Sequence, residues 1–156
     1  MSKFRMVVGS DNAGFDYRTA ILADLLADPR VESVEDLGVY SDGLTDCSYG
    51  EVAIKAAEMI RDGKADRAIL FCGTGIGVSI AANKVKGVTA TVVSDSYSVE
   101  RSILSNNCQV IAMGQRVIGL ELARRLAKEW LGYTFDPSSP SFEKVAVIIE
   151  YENTQP

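Results

Sequence analysis

Two hydrophobic periodicities alternate along this chain. Short apolar runs, typical of strands buried in a parallel sheet, recur through the sequence and predict five strands. These strands are expected at residues 5–10, 34–37, 67–71, 88–93 and 110–113. Between them, apolar residues repeat at the spacing of helices that have one buried face. These segments predict helices at residues 15–26, 49–60, 78–84, 97–104, 123–131 and 142–149.

The alternation of strand and helix predicts an α/β protein. We expect a three-layer Rossmann-like fold, in which helices flank a five-stranded parallel sheet and right-handed crossovers join the strands. A chain of 156 residues suits a single domain, spanning 1–156. The Pro, Ser and Gly content of 132–140 predicts an exposed connector, so 132–156 forms a C-terminal connector and helix. That helix is expected to pack either on a partner subunit or on its own domain.

The turn between the third strand and the third helix combines a thiol with three glycines. It reads Cys72-Gly73-Thr74-Gly75-Ile76-Gly77. Open α/β sheets place ligands at such turns, and glycines let the backbone approach a ligand closely. They also leave N–H groups open at the start of a helix, where an anion or a developing oxyanion can bind. A plainer interpretation also stands at this point, in which Cys72 is a small buried hydrophobe and the glycines only shape the turn.

Two further strand ends carry polar residues. The first strand ends in Ser10-Asp11-Asn12, and the fifth is followed by Gly114-Gln115-Arg116. Because the carboxyl ends of parallel strands lie at one edge of a sheet, these segments and Cys72 are expected to converge on a single crevice. Seen alone, Asp11 is more often a turn or capping residue than a catalytic one.

Composition and charge narrow the classes of partner. A hydrophobic content of 47% with 24% charged residues is typical of a globular protein. A net charge of −5 and a pI near 4.8 argue against nucleic acid or an anionic membrane as a main partner. A phosphate-bearing ligand must therefore be held by local cations and backbone amides. The sequence shows neither a signal peptide nor a membrane span, and we expect a cytoplasmic protein.

The chain contains no histidine, so acid–base chemistry falls to Cys, Asp, Glu, Tyr or Lys. The three cysteines, Cys47, Cys72 and Cys108, are odd in number and widely spaced, which indicates neither a disulfide framework nor a metal site. A dinucleotide fingerprint is disfavoured, because Val78 occupies the place of its last glycine. A Walker loop is excluded, because the sequence has no Gly-Lys-Ser/Thr. No metal or cofactor is expected.

Three blocks of sequence carry a resemblance to a known family. They read Gly9-Ser10-Asp11-Asn12-Ala13-Gly14-Phe15, Phe71-Cys72-Gly73-Thr74-Gly75-Ile76-Gly77, and Asn106-Asn107 followed by Val110-Ile111-Ala112-Met113-Gly114-Gln115-Arg116-Val117. Together they resemble the type B ribose-5-phosphate isomerases, a family that includes galactose-6-phosphate and related sugar-phosphate isomerases. The resemblance runs from Arg5 to Leu131.

The resemblance implies an aldose–ketose isomerisation through a cis-enediolate, of the ribose 5-phosphate to ribulose 5-phosphate type. Cys72 matches the base that moves a proton between C1 and C2, Thr74 would assist at the hydroxyls, and Asp11 would hold the sugar. The substrate-binding residues it implies are Asn12, Gly73, Gly75, Ile76, Gly77, Asn106, Arg116 and Lys144. Of these, Arg116 and Lys144 would bind the phosphate, and Asn106 would serve a neighbouring subunit's site. The expected assembly is therefore a homodimer or dimer of dimers with shared active sites.

Several positions depart from the family pattern. Members that act on cyclic pentose phosphates carry histidine where this chain has Asn12 and Ser105, a tyrosine near Cys47 and an arginine near Pro140. Two of these positions are associated with opening the furanose ring. One alternative substrate is therefore a linear tetrose phosphate, since a sugar phosphorylated at O4 cannot close a furanose through that oxygen. Another sugar phosphate, or a non-catalytic sugar-phosphate-binding protein, is the remaining alternative.

Overall fold

The computed structural model describes residues 2–38 and 47–156. Within these ranges the strands are β1 (Phe4–Ser10), β2 (Val31–Gly38), β3 (Arg67–Cys72), β4 (Ala90–Val92) and β5 (Val110–Gly114). The helices are α1 (Phe15–Ala27), α2 (Tyr49–Arg61), α3 (Ile76–Ala82), α4 (Ser96–Leu104), α5 (Leu120–Trp130) and α6 (Ser141–Thr154). The predicted loop over 38–46 lies outside the described residues, apart from Gly38, which ends β2.

The strands form one parallel sheet with the order β2-β1-β3-β5-β4, which confirms the predicted five-stranded architecture. Three strands that end in candidate site residues, β1, β3 and β5, are neighbours in the middle of this sheet. Ser10 pairs with Phe71, and Cys72 pairs with Gly114, so the carboxyl ends of these strands are level. The sheet therefore brings the three predicted segments to one edge.

Helices cover both faces of the sheet, as the three-layer prediction requires. One apolar cluster joins α2 and α3 to the sheet, and the other joins α1, α4 and α5 to its opposite face. All six residues of β3 are buried, which explains why this strand is a continuous apolar run after Arg67. The central strand is thus held from both sides, and the turn that follows it starts from a fixed point.

The edge strand β4 is shorter than the predicted 88–93, because side-chain and turn hydrogen bonds take over its start. The Asn83 amide nitrogen donates to the carbonyl of Ala90 at 2.8 Å, and the Ala90 N–H donates back to Asn83 Oδ1 at 2.8 Å. The Val88 N–H donates to the carbonyl of Val85 at 3.2 Å, which places Val88 in a turn. The Asn83 bonds cover the outer edge of the sheet at the first residue of β4. On the side that faces β5, the Thr89 N–H donates to the side-chain Oε1 of Gln109 at 2.9 Å and not to a backbone carbonyl, so the paired strand begins at Ala90.

Helix α6 presents one side to its own domain and leaves apolar residues exposed on the rest of its surface. Val145 is buried, and the Gly87 N–H donates to Glu152 Oε2 at 2.9 Å. The exposed apolar residues of the helix are Phe142, Val147, Ile148, Ile149 and Tyr151. Across residues 2–38 and 47–156, no helix combines the length and the hydropathy that crossing a bilayer requires.

Candidate active site

A cavity of about 420 Å³ opens at the carboxyl edge of β1 and β3. It is lined by Asp11, Ala13, Tyr49, Cys72, Gly73, Thr74, Ile76, Gly77, Ile80 and Arg116. The wall therefore contains residues from all three strand ends that the sequence predicted to converge. Their convergence follows from the strand order, since β3 lies between β1 and β5.

The thiol of Cys72 is buried in the wall of this cavity and faces a backbone donor. Its Sγ lies 3.1 Å from the Gly75 nitrogen, whose N–H donates to the sulfur. Gly75 precedes the first residue of α3 and has a left-handed backbone with φ of +80°, a conformation that glycine adopts without strain. This turn directs an N–H group at the sulfur, and such a contact stabilises negative charge there.

Thr74 places a hydroxyl beside the thiol. The residue is exposed, and its Oγ1 accepts a hydrogen bond from the Ile76 N–H at 3.2 Å. Because that oxygen acts as the acceptor, the hydroxyl proton is available for donation to a ligand. The first N–H groups of α3 have no carbonyl partner within the helix, so the same turn offers backbone donors next to the hydroxyl.

Arg116 brings a positive charge over the glycine turn. The backbone N–H of Arg116 donates to the carbonyl of Gly73 at 3.0 Å, and the backbone N–H of Gln115 donates to the carbonyl of Cys72 at 3.0 Å. A Cβ added at Gly73 would lie 3.2 Å from Arg116 Nη1, so the guanidinium lies directly against this glycine. Within the described residues Arg116 is exposed and forms no ion pair, which leaves its charge for an anionic ligand.

Asp11 combines a capping role with a place in the cavity wall. It caps the short 3-10 turn at Asn12–Gly14, which the sequence did not predict. Its Oδ1 accepts hydrogen bonds from the N–H groups of Ala13 at 3.0 Å and Gly14 at 3.2 Å. Asp11 is therefore a capping residue through Oδ1, as expected for an aspartate in a turn. Its Oδ2 makes no hydrogen bond within the described residues.

Tyr49 is a cavity residue that the sequence reasoning missed. A Cβ on Gly77 would lie 2.5 Å from Cε2 of the Tyr49 ring, so the ring packs closely against this glycine. Tyr49 begins the apolar repeat of the predicted helix at 49–60, a position that favours burial on the helix's core face, and the family pattern has its tyrosine near Cys47. Cys47 packs against the core cluster and does not line this cavity. The signal was available in the capping box of Ser48 and Glu51, which fixes Tyr49 as the first residue of α2.

Four predicted binding residues are not part of the wall of this cavity. One is Gly75, whose N–H faces the sulfur of Cys72, and the other three lie farther away. Asn12 is exposed in the turn after β1, and Lys144 is exposed on α6, whose neighbour Gly87 precedes the edge strand. Asn106 lies between α4 and β5, at the amino edge of the sheet. It lines a separate cavity of about 380 Å³ beside β4. A single subunit therefore does not assemble all the predicted ligands around Cys72.

Cys108 is buried to nearly the same extent as Cys72 but lines the separate cavity beside β4. It is 3% exposed, and burial raises the pKa of its thiol to about 12. Near neutral pH this thiol is protonated and therefore a poor nucleophile. Among residues 2–38 and 47–156, no group of three or more Cys, Asp or Glu side chains is placed to hold a metal ion.

We expect alkylation to distinguish these thiols. Iodoacetamide near neutral pH should modify Cys72 through the open cavity, and a sugar phosphate such as erythrose 4-phosphate should slow that modification. Cys108 should stay unmodified, because its pKa of about 12 leaves almost no thiolate at that pH. Peptide mapping by mass spectrometry measures both rates. Equal modification of Cys72 with and without sugar phosphate would contradict a ligand site at this cavity.

Comparison with known proteins assigns the chain to a family. A model of the ribose/galactose isomerase family matches residues 6–148. D-erythrulose-4-phosphate isomerase 2 of Mycolicibacterium smegmatis is 60% identical over 149 residues, which cover 95% of this chain and 97% of that protein. Ribose-5-phosphate isomerase B of Escherichia coli is 40% identical over 132 residues, which cover 85% of this chain and 86% of that protein. The type B ribose 5-phosphate isomerase of Leishmania infantum has the same fold, with a TM-score of 0.91, 31% identity and 99% of each chain covered. The chain therefore belongs to the ribose/galactose isomerase family of aldose–ketose sugar-phosphate isomerases.

Proposed function

We propose that this isomerase preferentially interconverts a four-carbon pair, erythrose 4-phosphate and erythrulose 4-phosphate. This choice rests on two positions, Asn12 and Ser105, where family members that act on cyclic pentose phosphates carry histidine. The chain has no histidine elsewhere that could replace them. An aldotetrose phosphorylated at O4 stays open in water and needs no ring-opening acid. A relative that is 60% identical is named for erythrulose 4-phosphate, which supports the same choice.

In the proposed mechanism Cys72 acts as the base. Its thiolate removes the proton from C2 of the aldose and returns it to C1 of the enediolate, which yields the ketose. Thr74 moves the hydroxyl proton from O2 to O1, so that no net proton is gained or lost. The hydrogen bond from the Gly75 N–H supports this assignment, because a donor that faces the sulfur favours negative charge on that atom.

The remaining residues of the cavity are assigned to binding. The backbone N–H groups at the start of α3 stabilise the enediolate oxygen, whose charge exists only near the transition state. Arg116 binds the phosphate, and Asp11 Oδ2 accepts a hydrogen bond from a sugar hydroxyl. The ring of Tyr49, with Ile76 and Ile80, forms the apolar side of the cavity and limits the access of water.

Ribose 5-phosphate is the second candidate substrate. The relative from Escherichia coli, 40% identical, is named a ribose-5-phosphate isomerase, and the same enediolate chemistry applies to five carbons. In water this sugar is mainly a furanose, so the enzyme would have to select the scarce open form. We therefore expect ribose 5-phosphate to be a slower substrate.

We further propose a homodimer in which each active site takes Asn106 from the other subunit. Asn106 lies at the amino edge of β5 and Cys72 at the carboxyl edge of β3, so roughly the length of a strand, about 13 Å for five residues, separates the two edges. Closing that gap within one subunit would require unfolding the edge of the sheet. The exposed apolar residues of α6 support a second copy as the neighbour, since such faces are typical of subunit contacts.

A substrate panel tests the preference for four carbons. We expect kcat/KM for erythrulose 4-phosphate to exceed that for ribose 5-phosphate by at least about tenfold. The reason is that only the scarce open-chain form of the pentose phosphate can react, since this site has no ring-opening acid. Coupled assays of four-, five- and six-carbon sugar phosphates at equal concentration measure the ratio. A ratio that favours ribose 5-phosphate would move the assignment to the second candidate. No turnover of any sugar phosphate would favour a binding protein.

Mixed dimers test the sharing of sites. Cys72→Ala and Asn106→Ala should each lose about 10²-fold or more in kcat as homodimers, because one lacks the base and the other an enediolate donor. When the two variants are co-expressed with different tags and purified as a mixed dimer, one site regains both residues. We then expect about half of the wild-type activity per dimer. If both residues act within one subunit, the mixed dimer will be no more active than the sum of its parents.

A further inference from the structure

The second cavity, beside the edge strand β4, contains an arginine whose binding capacity is largely unused. It is lined by Thr89, Ala90, Thr91, Val92, Ser98, Arg101, Ser102, Asn106 and Cys108. Most of these side chains are polar, and Arg101 is the cation among them. The cavity thus joins Asn106, which is proposed to serve the partner, to a positive charge on the same surface.

The Arg101 side chain is weakly held in the described structure. Its Nη2 lies 3.1 Å from Glu100 Oε1, and the two side chains are 38% and 37% exposed. An exposed pair of this kind contributes little, so a phosphate can replace the carboxylate. The Nε of Arg101 is buried and has no hydrogen-bond partner among the described residues. An arginine in this state can form a new charge-assisted contact at small cost.

The Cys72 cavity is short of positive charge for a sugar phosphate. The phosphate carries nearly two negative charges at neutral pH, and the cavity wall supplies one cation, Arg116, together with one carboxylate, Asp11. The predicted second cation, Lys144, is exposed on α6 and lines neither cavity. A protein with a net charge of −5 offers no general attraction to replace a local cation.

We propose that Arg101 is the second phosphate-binding cation and that it acts in the partner subunit's site. This inference rests on the proposed dimer. Any subunit contact that presents Asn106 to the partner's cavity also presents the polar surface that Asn106 shares with Arg101. The phosphate is then held between Arg116 of one subunit and Arg101 of the other.

Kinetics of single variants test the role of Arg101. We expect Arg101→Ala to raise KM for erythrulose 4-phosphate by about 10- to 100-fold and to change kcat by less than about threefold, because phosphate binding is uniform along the reaction. The inhibition constant of inorganic phosphate should rise in parallel, and Arg101→Lys should restore part of the loss. Arg61→Ala is the matched control, since Arg61 is also a half-exposed helical arginine paired with its neighbour, Asp62. Unchanged KM and phosphate inhibition in Arg101→Ala, or an equal change in Arg61→Ala, would overturn the inference.

Subunit mixing tests whether Arg101 acts across the dimer. In a mixed dimer of Arg101→Ala with Cys72→Ala, every site that keeps Cys72 receives Arg101 from the partner. We therefore expect KM to return to the wild-type value. If Arg101 acts on its own subunit's site, KM will stay raised, and the inference fails.

The failure of this inference can be distinguished from the failure of the proposed function. If wild-type protein turns over sugar phosphates and Arg101→Ala is unchanged, the inference alone fails. If wild-type protein turns over none, the proposed function fails. Calorimetric titration of wild-type and Arg101→Ala protein with inorganic phosphate then still tests the cation, because equal affinities would overturn its role.

Discussion

The hydrogen bond from the Gly75 N–H to Cys72 Sγ is the contact on which the account of this protein depends. It forms because Gly75 adopts a left-handed backbone immediately after a strand whose residues are all buried. The buried strand fixes the origin of the turn, and the N–H groups of Gln115 and Arg116 hold the first two carbonyls of the turn against β5. A side chain at Gly75 would strain the turn and move the N–H group that donates to the sulfur.

The sheet order explains why this turn can serve as a site. Neighbouring strands β1, β3 and β5 end level with one another, so Asp11, Cys72 and Arg116 approach without long loops. Residues that precede a strand lie at the opposite, amino edge of the sheet, away from the cavity. Asn106, which precedes β5, is one of them. The proposed role of Asn106 at the Cys72 cavity therefore requires a neighbouring subunit. In a chain with a net charge of −5, the proposed phosphate binding depends on local cations, Arg116 and the partner's Arg101.

The parts of the fold with strong periodicity could be predicted from sequence. The apolar run from Arg67 and the repeat in α2 each produced an element within one residue of its observed bounds. The bounds of the edge strand β4 could not, because the Gln109 side chain takes the Thr89 N–H and Val88 lies in a turn, and periodicity encodes neither contact. In the site, the glycine turn and Arg116 were identified by motif. Tyr49 was missed because its contact with the cavity depends on which residue begins α2. Arg101, the proposed phosphate ligand, was missed because only the structure shows that it lines the same cavity as Asn106.

The most direct test of the central claim is hydrogen exchange at the reacting carbons. Wild-type protein and Cys72→Ala are incubated with erythrulose 4-phosphate in deuterated water, and NMR measures deuterium incorporation while calorimetry measures sugar-phosphate affinity. If the Cys72 thiolate is the base, its loss lowers exchange by about 10²- to 10⁴-fold, the contribution of a positioned base, while affinity changes only a few-fold. Exchange in Cys72→Ala at a rate close to that of the wild type would contradict the assignment of the thiolate as the base.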